Sequence, residues 1–117
     1  MELYTEAMPK TALTPQNLDS VATRFRILGV PLRLQILNEL ASGPRTVTAL
    51  VEATGSTQPN VSKHLSTLLA HRLVKREKRG NSAYYSVSDP AIFKLCELVC
   101  GNIERGLEEE RAAFSGG

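Results

Sequence analysis

A mainly α-helical domain carrying one small β-hairpin is predicted by three observations. Apolar residues recur at helical spacing in four short segments up to His71, each bounded by Pro, Gly or Thr. The period then switches to alternation on either side of Gly80-Asn81. Helical spacing returns after Asp89-Pro90 and continues almost to the end of the chain. At 117 residues and 42% hydrophobic, the chain holds one domain, which excludes most enzyme folds built on large α/β sheets. Aromatic residues make up only 5% and there is no Trp, so the core draws on Leu, Val, Ile and Ala. Such a core is thin. A long apolar helix with nothing to fold back on would then point to a dimer.

Residues 14–114 are expected to form the domain, between a fraying segment at 1–13 and a flexible tail at 115–117. Thr14-Pro15 predicts the start of the first helix, with Thr as N-cap and Leu18, Val21, Ala22, Phe25 and Leu28 on its apolar face; Gly29 closes it. Pro31 opens a second helix carrying Leu32, Leu34, Ile36, Leu37 and Leu40, which ends at Ser42-Gly43-Pro44. Thr46 caps a short third helix that buries Val47, Leu50 and Val51 and stops at Gly55. Thr57 or Ser56 caps a fourth, running to about His71, with Val61, Leu65, Leu68 and Leu69 on its buried side. Pro59 falls in its first turn, where a missing amide hydrogen costs nothing.

Residues 73–78 and 83–87 alternate around Arg79-Gly80-Asn81-Ser82 and predict the hairpin, with Gly-Asn at its tip. Of Tyr84 and Tyr85, which face opposite sides, one packs beneath the hairpin and the other is placed to reach a phosphate or a partner, though packing suits both. The last helix, about two dozen residues, carries a stripe of Ile92, Leu95, Cys96, Val99, Ile103 and Leu107. Gly101 and Gly106 interrupt its propensity, a sign of close helix approach or of fraying.

The net charge of +2 conceals two opposite regions. From Lys63 to Arg79 six bases meet one acid, whereas from Glu97 to Arg111 five acids meet two bases. No run of apolar residues reaches membrane-spanning length, and Met1 to Lys10 has no apolar signal core, so a cytoplasmic protein without a membrane partner is expected. Cys96 and Cys100 are too few and too close for a secreted disulfide scaffold.

Helix, turn, helix and charged hairpin, in that order, describe a winged helix-turn-helix, whose second helix of the pair enters the DNA major groove. The fourth helix fits that role. Thr57, Gln58, Asn60, Ser62, Lys63 and His64 form its exposed polar side, and no acid occurs from Gly55 to Lys75. Gln and Asn pair with adenine and Lys with guanine, so this side can read base edges. Arg76, Lys78 and Arg79 on the hairpin suit phosphate contacts, which supply affinity and register. For each of these bases a solvated strand position is the plain alternative. His64 is either DNA-facing or packed, and His71 lies two turns away, too far to share an ion with it.

The stretches from Phe25 to Leu37, Gln58 to Leu65 and Gly80 to Val87 together resemble the ArsR/SmtB family of bacterial repressors, over about residues 17–110. The resemblance implies a homodimer joined through its first and last helices. It also implies paired recognition helices on a palindromic operator in double-stranded DNA, released when an inducer binds. Two sensing sites of that family are missing: Thr46 and Thr48 stand where a thiolate pair would be, and although Asp89 matches the first ligand of a zinc site, Ala91, Asn102 and Arg105 replace the others.

Cys96 and Cys100 remain, and two readings stand. Both fall on or beside the apolar stripe and pack well as small hydrophobes. At i and i+4 they can also share one soft ion, As(III), Cd(II) or Zn(II), more easily than they can form a disulfide within the helix. The function expected is a sequence-specific DNA-binding regulator, a homodimeric repressor released from its operator by an inducer, with thiol-based sensing of a metalloid, soft metal or oxidant only on the second reading of the cysteines. A winged-helix protein-interaction module is the alternative. A thiol redox enzyme is the weaker one, because the sequence holds no nucleophile motif, phosphate loop or His/Asp/Glu cluster.

Overall fold

The computed structural model describes residues 13–115. The expected fraying segment at 1–13 and tail at 115–117 therefore lie outside the described residues, apart from Leu13 and the backbone of Ser115. Among the described residues, five helices and a hairpin follow in chain order: α1 (Leu18–Leu28), α2 (Pro31–Leu40), α3 (Val47–Thr54), α4 (Gln58–Ala70), β1 (Val74–Arg79), β2 (Ser82–Val87) and α5 (Ala91–Ser115).

The core is a single cluster of Ile36, Leu37 and Leu40 from α2, Leu50 from α3, Val61, Leu65 and Leu68 from α4, and Leu73 and Val74 at the start of the hairpin, with Leu28 from α1. Ile36, Leu50, Val61, Leu65 and Leu68 are wholly buried. These are the residues the helical spacing singles out, because an i, i+3, i+4, i+7 apolar pattern places one face of each helix inward. Tyr85, Ile92 and Leu95 pack against the cluster from the wing and the base of α5.

The helix boundaries follow their caps, with one correction. Thr14 does not cap α1. Its amide donates to Asn17 Oδ1 at 2.8 Å while its carbonyl accepts from the amides of Asn17 and Leu18, so residues 14–17 close a turn of their own and the helix begins at Leu18. Thr46 and Thr57 cap as predicted, accepting from the amides of Ala49 (3.2 Å) and Asn60 (3.3 Å). Gly55 ends α3 at φ +72°, a left-handed conformation that glycine adopts without Cβ strain.

The end of α4 uses Arg72 where glycine is usual. Arg72 has φ +59°, its amide donates to the Leu69 carbonyl, and the amide of Leu73 donates to the Leu68 carbonyl at 2.9 Å. This is a Schellman motif, completed by the apolar contact of buried Leu68 and Leu73 across it.

The strands pair antiparallel, Val74 with Val87 through Arg79 with Ser82, leaving Gly80-Asn81 as a two-residue turn with Gly80 at φ +62°. Arg45 adds a short bridge to the sheet, its amide and carbonyl bonded to the carbonyl and amide of Tyr85 at 3.0 and 2.8 Å. Helix α5 opens with Asp89 Oδ1 accepting the Ala91 amide at 2.9 Å, which gives Asp89 a capping role. The helix runs unbroken through Gly101 and Gly106. Neither glycine marks a close approach within the protomer: a Cβ on Gly106 would meet nothing within 4 Å, and one on Gly101 would meet only the Arg105 side chain. No helix among the described residues is long and apolar enough to cross a membrane.

Candidate nucleic-acid interface and thiol pocket

Thr57, Gln58, Asn60 and Lys63 are exposed along the first two turns of α4, with Ser62 and His64 half-buried beside them. Burial of Val61, Leu65 and Leu68 against α2 and α3 turns this side of the helix outward. The helix N-terminus carries partial positive charge and no acidic side chain to cancel it. Asn60 Nδ2 donates to Ser56 Oγ at 3.4 Å, a weak bond that a base edge can replace. All six residues expected from the sequence are at least partly exposed on the N-terminal half of the helix.

His64 is more constrained than its neighbours. Its Nδ1 accepts from Arg33 Nε at 3.0 Å. Burial, reinforced by the charges of Arg33 and Lys63, holds its pKa below the ordinary 6.5, so the imidazole is neutral near pH 7.

The wing is anchored through β2, and every residue of β1 after Val74 is exposed. Its cations divide between two sides. Arg76 and Lys78 join Arg72 and Lys75 around an open groove of about 570 Å³ between the C-terminal end of α4 and the wing, and no carboxylate lines it. Arg79 instead lies 3.4 Å from Glu77 Oε2 and 5.1 Å above the Tyr84 ring. Its charge is partly compensated before any ligand arrives. Neither Arg72 nor Lys75 is among the site residues expected from the sequence. The signal for Arg72 is the Leu68/Leu73 pair flanking a helix end that lacks glycine.

Cys96 and Cys100 lie one turn apart on α5, the first half-buried and the second exposed. They line an almost wholly apolar pocket of about 390 Å³ with Phe25 and Leu28 of α1, Leu34 of α2, and Val99 and Ile103 of α5. The Cys100 thiol points to Glu104 Oε1 at 3.8 Å. Among the described residues no group of three or more His, Cys, Asp or Glu is placed to hold a metal ion. Beyond the pocket, Leu98, Val99, Ile103 and Leu107 are each half or more exposed, as are Leu18 and Phe25 on α1. That is a long uncovered apolar surface for a chain of this size.

Residues 30–76 match the model of the bacterial regulatory proteins of the arsR family. A probable mercury resistance operon repressor of Streptomyces lividans is 40% identical over 81 residues, covering 69% of this chain and 65% of the relative. The chain therefore spans just under two thirds of that relative. The HTH-type transcriptional regulator NmtR of Mycobacterium tuberculosis is 37% identical over 89 residues, covering 76% of this chain and 74% of NmtR. Among solved structures, the homodimeric winged helix-turn-helix DNA-binding domain of Mb0332 from Mycobacterium bovis superposes with a TM-score of 0.71 at 31% identity, covering 85% of this chain and 94% of that one. With an acid-free exposed face on α4, a cationic wing and these matches, the chain belongs to the arsR family of bacterial regulatory proteins, transcriptional regulators that bind DNA through a winged helix-turn-helix.

Proposed function

We propose that this regulator is a homodimeric repressor that binds an operator through α4 and the wing and is released by an inducer acting at Cys96 and Cys100. The observation that carries the DNA reading is the acid-free exposed face on the first turns of α4, together with a groove at the other end of that helix lined by four cations and no carboxylate. A phosphate strand fits such a groove while the exposed Gln58, Asn60 and Lys63 meet base edges. Arg79, held by Glu77 and Tyr84, contributes less to affinity than Arg76 and Lys78.

Dimerisation through α1 and α5 follows from their uncovered apolar residues. A symmetric copy covers Phe25, Val99, Ile103 and Leu107 at once and sets two α4 helices about 34–36 Å apart, the spacing of successive major grooves. The two thiols then lie in or beside the interface, where two Cys96/Cys100 pairs can supply up to four soft donors.

The donor set, sulfur in an apolar pocket without imidazole, suits a thiophilic ion such as As(III) or Cd(II), with Zn(II) also able to take thiolates. The name of the Streptomyces relative, a mercury resistance operon repressor, points to the same soft class. Glu104 Oε1, 3.8 Å from the Cys100 sulfur, sets a hard carboxylate oxygen beside this soft donor set. The half-burial of Cys96 in the pocket favours a second reading, in which the thiols only pack. No catalytic role is assigned to any residue.

A mobility shift on the DNA flanking the protein's own coding region tests the operator reading, and lack of a sequence-specific shift at low salt refutes it. Titration of As(III), Cd(II), Zn(II) and an oxidant against that complex tests sensing. A Cys96→Ser/Cys100→Ser protein that responds like the wild type makes the cysteines packing residues.

A further inference from the structure

Arg33, in the first turn of α2, makes two bonds that connect elements with different tasks. Its Nε donates to His64 Nδ1 at 3.0 Å, and its Nη1 donates to the carbonyl of Ile27, in the last turn of α1, at 3.2 Å. A guanidinium has no acceptor and keeps its protons in proteins, so Nδ1 must be the acceptor and the ring hydrogen must reside on Nε2. His64 lies one helical turn from Asn60, on the same polar side of α4. Ile27 adjoins Leu28 and Gly29, which line the thiol pocket.

We propose that Arg33 is a positioning residue for operator recognition: it locks His64 as an Nε2–H donor on α4 and ties that ring to the last turn of α1. The proposal rests on α4 being the recognition helix. A fixed Nε2–H donor suits phosphate oxygens and the acceptors of the major groove, whereas the other tautomer would offer them a lone pair. The same guanidinium gives a displacement of the α1 end a direct route to a DNA-facing side chain. Because Arg33 acts through His64, its contribution to operator affinity disappears once the imidazole is removed.

The test uses the full-length protein. Imidazole nitrogen spectra without DNA are expected to show the Nε2–H tautomer alone in the wild type and a mixture in Arg33→Gln. Operator affinity is expected to fall about 5- to 30-fold for Arg33→Gln and for His64→Ala, with the double variant no weaker than His64→Ala. Arg33→Lys, which keeps the charge and loses the planar fork, should behave as Arg33→Gln does. Mixed tautomers in the wild type overturn the proposal, and so does an Arg33→Gln effect of equal size with and without His64. Wild-type affinity in Arg33→Gln overturns it as well. Unchanged binding by Lys63→Ala and Gln58→Ala would instead count against α4 as the reading helix, while the tautomer spectra still decide the lock.

Discussion

Ile103→Glu should convert the protein from dimer to monomer and remove operator binding with it. Ile103 sits in the middle of the α5 stripe and remains 58% exposed in the protomer, so a partner has most of its side chain left to cover. Full burial of an isoleucine stabilises by roughly 1.5–3 kcal/mol, so this fraction contributes about 1–2 kcal/mol per copy. Two-fold symmetry counts the residue twice, giving about 2–4 kcal/mol, or a dimer weakened roughly 30- to 1,000-fold through the missing apolar burial alone. A carboxylate facing its own symmetry mate adds like-charge repulsion and desolvation. Sedimentation equilibrium over a micromolar concentration range reads the dissociation constant, and a melt by circular dichroism shows that the protomer still folds, since Ile103 is outside its core. The DNA readout follows by geometry: a monomer engages one half-site and loses the second. A wild-type dimer constant in Ile103→Glu would refute the α5 interface. A monomer that still binds the operator like the wild type would refute the paired recognition helices.

Arg76→Ala and Lys78→Ala should each flatten the log–log salt dependence of operator binding by about one unit per subunit for each phosphate no longer neutralised, and Arg79→Ala should flatten it less; equal slopes in a fluorescence-anisotropy titration would contradict the division of the wing into two sides. Arg72→Gly should raise stability by about 0.5–1 kcal/mol, because relief of the left-handed strain exceeds the extra chain entropy of glycine. A lower midpoint in urea denaturation would contradict it, and the same variant should bind DNA more weakly because the groove is short of one cation. For His64, the depressed pKa means the unfolded chain takes up a proton more readily than the folded one below about pH 6.5. Stability should therefore fall as pH drops through that value and level off once the folded ring is protonated too. His64→Gln should lose that share of the slope in thermal melts between pH 7 and 5.

The local features of the fold were legible because their signals lie within a few residues of one another. Thr46, Thr57, Gly55 and the Gly80-Asn81 turn act where they stand, and each helix declared its buried face by periodicity. The start of α1 was misplaced because Thr14 is an eligible cap, and only the competing bond to Asn17 decides against it. Surface placement of Gln58, Asn60 and Lys63 was equally legible, since the opposite face of α4 is occupied by Val61, Leu65 and Leu68.

Sequence alone thus determined the order of elements, the core, the acid-free exposed face of α4 and the apolar stripe on α5, all of which depend on residue type and short spacing. Tertiary structure decided what depends on partners distant in the chain. Arg33 meets His64 across 31 positions and fixes its tautomer. Arg45 adds its bridge to Tyr85. Arg76 and Lys78 share a groove with Arg72, while Arg79 turns to Glu77 and Tyr84. The pocket that surrounds the two thiols needs α1, α2 and α5 together. The physical reason is range: capping, turns and amphipathicity are set by neighbours along the backbone. A tautomer, a cationic groove or an apolar pocket exists only when side chains from separate elements come within a few ångströms of one another.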